Sequence, residues 1–111
     1  MDQIITSSLI IKPSSVDEVD ALREKLPSFR EKQGKENTFF SKLVDLDIRE
    51  SSEFSNKVGS LLDPIRGFKS TSVYIRISVS MDVDQFCFSI DDSLIFMCNK
   101  YGVEIDFDFY K

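Results

Sequence analysis

The sequence predicts a single α+β domain whose mostly antiparallel sheet carries helices on one face. Its 111 residues fall within the size range of one domain. Several segments alternate apolar and polar residues, as half-buried strands do, and others carry apolar residues at helical spacing. The elements follow the order β-α-β-α-β-β-α-β, and the last six match the ferredoxin-like split βαβ arrangement. We therefore expect one domain over residues 1–111.

The start of the chain is predicted to form a strand, a helix and a loop. Residues 9–11 are a predicted strand that stops at Pro13, because proline fixes φ and lacks a backbone donor. Ser15 is the predicted N-cap of the helix that follows, which ends at Pro27. The apolar stripe of this helix comprises Val16, Val19, Leu22 and Leu26. Residues 28–38 show neither strand nor helix periodicity, which indicates a surface loop.

The middle of the chain is predicted to form a strand and then a helix. Residues 40–49 alternate between apolar and polar, apart from Lys42 and Leu43, as a half-buried strand does. The helix that follows is predicted to stop at Gly67, since glycine commonly ends helices. Its apolar residues fall at helical steps and are Phe54, Val58, Leu61, Leu62 and Ile65.

The last part of the chain is predicted to form a hairpin, a helix and a final strand. Residues 73–81 and 85–90 both alternate, and a short acidic turn separates them. The helix is predicted to end at Gly102. Residues 103–110 alternate strictly, so their apolar side chains point to one face and their acidic side chains to the other.

Residue usage narrows the chemistry that this chain could perform. There is no His, which removes the commonest general base and excludes Ser-His and Cys-His mechanisms. Cys87 and Cys98 each lie in an apolar stretch and are predicted to be core thiols, not disulfide partners or metal ligands. We expect no catalytic residue, no cofactor and no bound metal, so the chain is predicted not to be an enzyme.

The net charge of −5 comes entirely from the C-terminal part of the chain. Residues 1–80 carry twelve acidic and twelve basic residues, whereas residues 81–111 carry seven acidic residues and two lysines. This distribution argues against nucleic-acid binding, which requires a basic face, and favours a basic protein partner. The N-terminal residues have neither a basic region nor a long apolar one, and no apolar run is long enough to span a membrane. We therefore expect a cytoplasmic protein that does not bind membranes.

The acidic residues of two predicted strands are candidates for a binding face. In a ferredoxin-like sheet, the final strand lies beside the strand predicted over residues 40–49. The polar residues of both strands would then lie together on the uncovered face of the sheet. The candidate partner-binding residues are Asp45, Asp47, Glu104, Asp106, Asp108 and Tyr110. Their carboxylates could solvate the sheet, dock a cationic protein surface or hold a divalent metal.

The second half of the chain also resembles a known family. Residues 61–64 (LLDP), 92–94 (DSL) and 101–110 (YGVEIDFDFY) place a short helix, a glycine and an Asp-bearing strand in sequence. This pattern resembles domain-of-unknown-function family 4279. The resemblance implies a fold and no assigned reaction. Small acidic bacterial proteins of this kind resemble immunity proteins, which neutralise a toxin by covering its active site.

Together these features predict a protein-binding module. Its most concrete form is an immunity protein that neutralises a basic bacterial toxin, such as a nuclease, through the acidic face. One alternative is a structural or regulatory subunit that self-associates through its sheet. A second is a metal-dependent phosphoesterase, since grouped carboxylates suit Mg²⁺ or Mn²⁺. The sequence leaves the partner's identity and the oligomeric state open.

Overall fold

Strands and helices are described for residues 4–35, 37–68, 71–80 and 92–110 of a computed structural model. In chain order the elements are β1 (Ile4–Lys12), α1 (Val16–Lys25), β2 (Arg30–Gln33), β3 (Thr38–Val44), α2 (Ser51–Leu62), β4 (Ser72–Ser80), α3 (Asp92–Tyr101) and β5 (Val103–Tyr110). A 3₁₀ turn over Asp63–Ile65 prolongs α2. These elements confirm the predicted α+β class.

The five described strands form one mixed sheet in the order β2-β3-β1-β4-β5. β1 pairs antiparallel with both β3 and β4, and β2 pairs antiparallel with β3. β4 and β5 run parallel, with α3 connecting them. The predicted ferredoxin-like order is therefore wrong, because β1 lies between β3 and β4 at the centre of the sheet and does not extend its edge.

Two predicted elements need correction. Residues 30–33, predicted to lie in a loop, form the edge strand β2, whose four residues are all exposed. Because all four side chains are exposed, the sequence of β2 does not alternate between apolar and polar residues. The strand is held by its backbone pairing with β3. Arg23 of α1 also donates to Glu31 of β2, with 2.7 Å between Nε and Oε1. The strand predicted over residues 40–49 ends at Val44, and a turn follows in which the backbone N–H of Glu50 donates to the carbonyl of Asp47.

The predicted hairpin partner of β4 falls on residues that the structure does not describe. Residues 85–90 lie outside the described part of the chain. β4 pairs with β1 on one side and with β5 on the other along nearly its whole length. Both edges of β4 are therefore occupied by described strands.

The helix-end signals at Ser15 and Gly102 are confirmed, whereas the helix predicted to stop at Gly67 ends at Leu62 and continues only as a 3₁₀ turn. The backbone N–H of Glu18 donates to Ser15 Oγ at 3.3 Å, so Ser15 is the N-cap of α1. At the end of α3, Gly102 has φ +67°, which is a conformation that glycine adopts without steric cost. This residue turns the chain directly from α3 into β5.

One face of the sheet packs against the helices. In β1 and β4 the residues on this face alternate along the strand, because successive side chains point to opposite sides. The core consists of buried side chains from this face of the sheet and from the helices above it. The sheet contributes Leu9, Ile11, Ile75, Ile77 and Val79. The helical layer contributes Leu22, Leu26, Phe54, Val58, Leu62, Leu94 and Met97. The helices thus lie on a single face, as the sequence predicts.

The opposite face is here called the open face. Its residues follow from the strand register and are Arg30 and Lys32 of β2, Phe39, Ser41 and Leu43 of β3, Thr6, Ser8, Ile10 and Lys12 of β1, Tyr74, Arg76 and Ser78 of β4, and Glu104, Asp106 and Asp108 of β5. Most of the charged residues of the open face are exposed to solvent. Any partner that binds the sheet directly would contact this surface.

Candidate functional site

The open face carries opposite charges at its two edges. One row across the sheet aligns Arg30, Ser41, Ile10, Tyr74 and Glu104, and the next aligns Leu43, Ser8, Arg76 and Asp106. Arg30 and Lys32 lie at the β2 edge, whereas Glu104, Asp106 and Asp108 lie at the β5 edge. The surface that the sequence predicts to be acidic is therefore acidic only along β5 and is basic along β2.

The carboxylates of β5 remain accessible to a partner. The nearest cation to Asp106 among the described salt bridges is Arg76, with 3.6 Å between Nε and Oδ2. Both side chains are largely exposed, at 45% for Arg76 and 58% for Asp106, so this pair contributes little to stability. Glu104 and Asp108 are exposed and form no salt bridge with a described residue. A cationic partner could thus bind the carboxylates of β5 without breaking a strong interaction within the chain.

Tyr74 organises the cations at the centre of the open face. The Lys12 Nζ atom lies 5.2 Å from the centroid of its ring, and the Arg76 guanidinium carbon lies 5.6 Å from it. Cations at this distance are attracted to the negative face of an aromatic ring. Arg76 therefore lies between Tyr74 and Asp106, at the boundary between the basic and acidic parts of the face.

Asp45 and Asp47 do not join the β5 carboxylates. Both follow the end of β3, which is separated from β5 by β1 and β4, so the expected five-carboxylate patch does not form. Asp47 instead accepts hydrogen bonds from Arg49, at 2.8 Å from the backbone N and 2.6 Å from Nη2. The hydrogen bond from the Arg49 side chain lowers the pKa of Asp47 below its usual value. Asp47 is therefore engaged locally, by a residue two positions away.

Tyr110 and Cys98 lie in the described part of the chain, at the end of β5 and on α3. Tyr110 is the last residue of β5, where its backbone pairs with Ser80. Cys98 is half-buried on α3 and packs against the core, and burial raises the pKa of its thiol. A raised pKa lowers the fraction of reactive thiolate, in keeping with the predicted core role of Cys98. Cys87 lies outside the described residues.

The sequence reasoning missed the apolar centre of the open face. Leu43 is 59% exposed there, and Ile10 on the neighbouring strand is only 5% exposed although it faces away from the helices. The available signal was the break in alternation at Lys42 and Leu43, which places an apolar residue where the pattern calls for a polar one. Single exposed apolar residues are common on protein surfaces, so Leu43 matters here only for its position between the two charged edges.

Comparisons with known proteins leave the family resemblance as a prediction. No family model matches the chain, and neither a curated protein nor a solved structure matches it. Among the described residues, no three His, Cys, Asp or Glu side chains are grouped so as to hold a metal ion. In the same ranges, no helix has the length and apolar character needed to cross a bilayer. We therefore infer function from the geometry and charge of the described residues.

Proposed function

We propose that this chain is a cytoplasmic protein-binding module that docks a basic protein partner on the β5 side of its open face. The observation that supports this proposal is the row of Glu104, Asp106 and Asp108. The strand pleat directs all three carboxylates to one face, and all three are exposed. A row of like charges on a supported strand steers a cationic partner and selects its orientation.

The most concrete form of this function is that of an immunity protein. It would neutralise a basic bacterial toxin, such as a nuclease, by covering the surface that the toxin uses to bind its anionic substrate. Glu104, Asp106 and Asp108 would occupy the positions of substrate phosphates, and the exposed Leu43 would add apolar contact. The rest of the module would block access sterically.

The variant Asp106→Lys/Asp108→Lys tests this proposal. The probe is the product of the gene immediately upstream, expressed as an inactive toxin variant and immobilised on a biosensor. We expect charge reversal to lower the association rate constant by about tenfold or more at low salt. It should also remove most of the salt dependence of this rate, because electrostatic steering of a basic partner requires negative charge on the chain.

The matched control is Glu24→Lys/Glu53→Lys, which changes the net charge by the same amount at exposed residues of α1 and α2, on the helix side of the sheet. This variant should associate at nearly the wild-type rate. Equal slowing in both variants would show that only net charge matters and would reject the β5 row. An upstream product that does not bind the wild-type chain would reject the immunity function itself.

Self-association is a second candidate function, and the opposite charges of the open face favour it. A two-fold axis parallel to the strands would place the basic β2 edge of one copy over the acidic β5 edge of the other, with Arg30 opposite Glu104. With strands about 4.8 Å apart and about 3.3 Å per residue, one face covers on the order of 500 Å². The area buried by two such faces is near the lower limit for a specific interface, so the dimer would be weak.

Charge swaps distinguish self-association from binding of a basic partner. Arg30→Glu/Lys32→Glu should dissociate the dimer in sedimentation velocity experiments at about 100 µM, a concentration that suits a weak complex. Adding Glu104→Lys/Asp106→Lys to the same chain restores complementarity opposite position 30 and should restore the dimer. A wild-type chain that is monomeric at this concentration, or a four-fold variant that stays monomeric, would contradict self-association.

A further inference from the structure

A cleft of about 300 Å³ lies on the helix side of the molecule, away from the open face. The end of α2, the start of β4 and the junction between α3 and β5 meet around it. Residues that line it include Ile65, Arg66, Phe68, Thr71, Lys100 and Gly102. Its volume lies at the lower end of the range for small-molecule sites.

Two cationic side chains border the cleft without an ion-pair partner among the described residues. The Arg66 guanidinium carbon lies 6.0 Å from the centroid of the Tyr101 ring, and the Lys100 Nζ atom lies 5.3 Å from it. Neither cation forms a salt bridge with a described carboxylate. The cleft therefore concentrates positive charge in a chain whose net charge is −5.

The carboxylate of Asp63 is engaged with Tyr101 nearby. The Tyr101 hydroxyl donates to Asp63 Oδ1 at 2.6 Å, and this hydrogen bond raises the pKa of Tyr101. Asp63 lines the adjacent groove between α2 and α3, whereas Arg66 lines the cleft. The hydrogen bond thus fixes the ring against which both cations lie and leaves the cations available to an anion.

The wall of the cleft contains a buried hydroxyl group that has no partner among the described residues. Thr71 Oγ1 is shielded from solvent and makes no hydrogen bond with any of them. Leaving such a group unpaired is unfavourable, and most buried polar groups in native proteins are paired. The Thr71 side chain lines the cleft and is only partly buried, so a rotation about χ1 would present this donor to an acceptor in the cleft. The apolar side chains of Ile65 and Phe68 supply a surface for a nonpolar group beside it.

We propose that this cleft binds a small phosphate monoester with an apolar body. Arg66 and Lys100 would contact the phosphate, the Thr71 hydroxyl would donate to it, and the organic part would lie against Ile65 and Phe68. A phosphate is favoured over a carboxylate because two cations and one hydroxyl donor match its greater charge and its larger number of oxygen acceptors. This site does not depend on the proposed function, since none of its residues belongs to the open face.

Isothermal titration calorimetry of the wild-type chain with phenyl phosphate tests the proposal. Inorganic phosphate and benzoate at the same ionic strength probe the two parts of the ligand separately. We expect saturable binding of phenyl phosphate and weaker binding of the other two. Benzoate that binds as tightly as phenyl phosphate would overturn the phosphate assignment, and absence of saturable phenyl phosphate binding would overturn the site.

Substitutions then identify the residues involved. Arg66→Gln/Lys100→Gln should weaken phenyl phosphate binding by about tenfold or more, since it removes two charged contacts. The control Lys25→Gln/Lys57→Gln removes the same charge from exposed residues on α1 and α2 and should bind as the wild type does. Equal weakening in both variants would show a general charge effect and reject the cleft. Because every substituted residue is exposed, circular dichroism should show the same fold in all variants.

Discussion

The substitution Phe54→Ala is expected to lower the free energy of unfolding by about 3–5 kcal/mol. Phe54 is a fully buried residue of α2 and one of the largest side chains in the core. Its removal loses the transfer free energy of an aromatic ring and leaves a cavity that close-packed neighbours fill only in part. Domains of this size have a total stability of about 5–15 kcal/mol, so the variant would approach the unfolding threshold. Urea denaturation followed by circular dichroism measures the loss.

Phe96→Ala is the matched control for this prediction. Phe96 lies on α3 and is 69% exposed, so the same chemical change should cost about 0.5 kcal/mol or less. If Phe54→Ala does not fold, Phe54→Leu retains most of the volume and should cost roughly 1–1.5 kcal/mol. Similar losses for Phe54→Ala and Phe96→Ala would contradict the packing of α2 against the sheet.

Local patterns predicted the helices well because each helix is fixed by interactions between residues that are close in sequence. The cap at Ser15 and the left-handed glycine at Gly102 are both short-range features, and both are observed. The apolar stripe of α1 was less accurate. Val16 was assigned to the stripe but is 82% exposed, since periodicity gives the direction of a side chain and not how far the sheet extends beneath it.

The strand order could not be predicted from local patterns. β1 is nine residues long, yet only residues 9–11 were recognised, because Thr6, Ser7 and Ser8 interrupt the apolar pattern. β1 lies at the centre of the sheet between β3 and β4, and neighbouring side chains leave its Ile10 only 5% exposed although the open face has no helix over it. Which strand lies beside which depends on contacts between distant residues, and a single sequence does not encode that pairing in its periodicity.

The candidate site shows the same division between local and long-range information. The common direction of Glu104, Asp106 and Asp108 follows from the pleat of one strand, and it was predicted correctly. Their expected contact with Asp45 and Asp47 required the wrong neighbour for β5. The sequence does not predict the basic edge opposite them, because residues 30–33 show no strand periodicity that would place Arg30 and Lys32 on the sheet.

The substitution Leu22→Ala is expected to lower the free energy of unfolding by about 2–5 kcal/mol and to loosen α1 in particular. Leu22 is the fully buried residue of this ten-residue helix, which is too short to persist in water without tertiary contacts. The salt bridges of Arg23 with Asp20 and Glu31 are exposed, so they would hold α1 against the sheet only weakly. Native-state hydrogen exchange should therefore show α1 amides losing more protection than those of β4.

Leu43→Ala is the corresponding control, and it also tests whether the open face is uncovered. Leu43 is 59% exposed on that face, so its truncation should cost about 0.5 kcal/mol or less when the chain is dilute enough to be monomeric. A loss as large as that of Leu22→Ala would mean that Leu43 is buried in solution, and the open face would then not be available to a basic partner. A small loss in stability combined with weaker partner binding would instead show that Leu43 contributes to recognition, because its apolar surface becomes buried only in the complex.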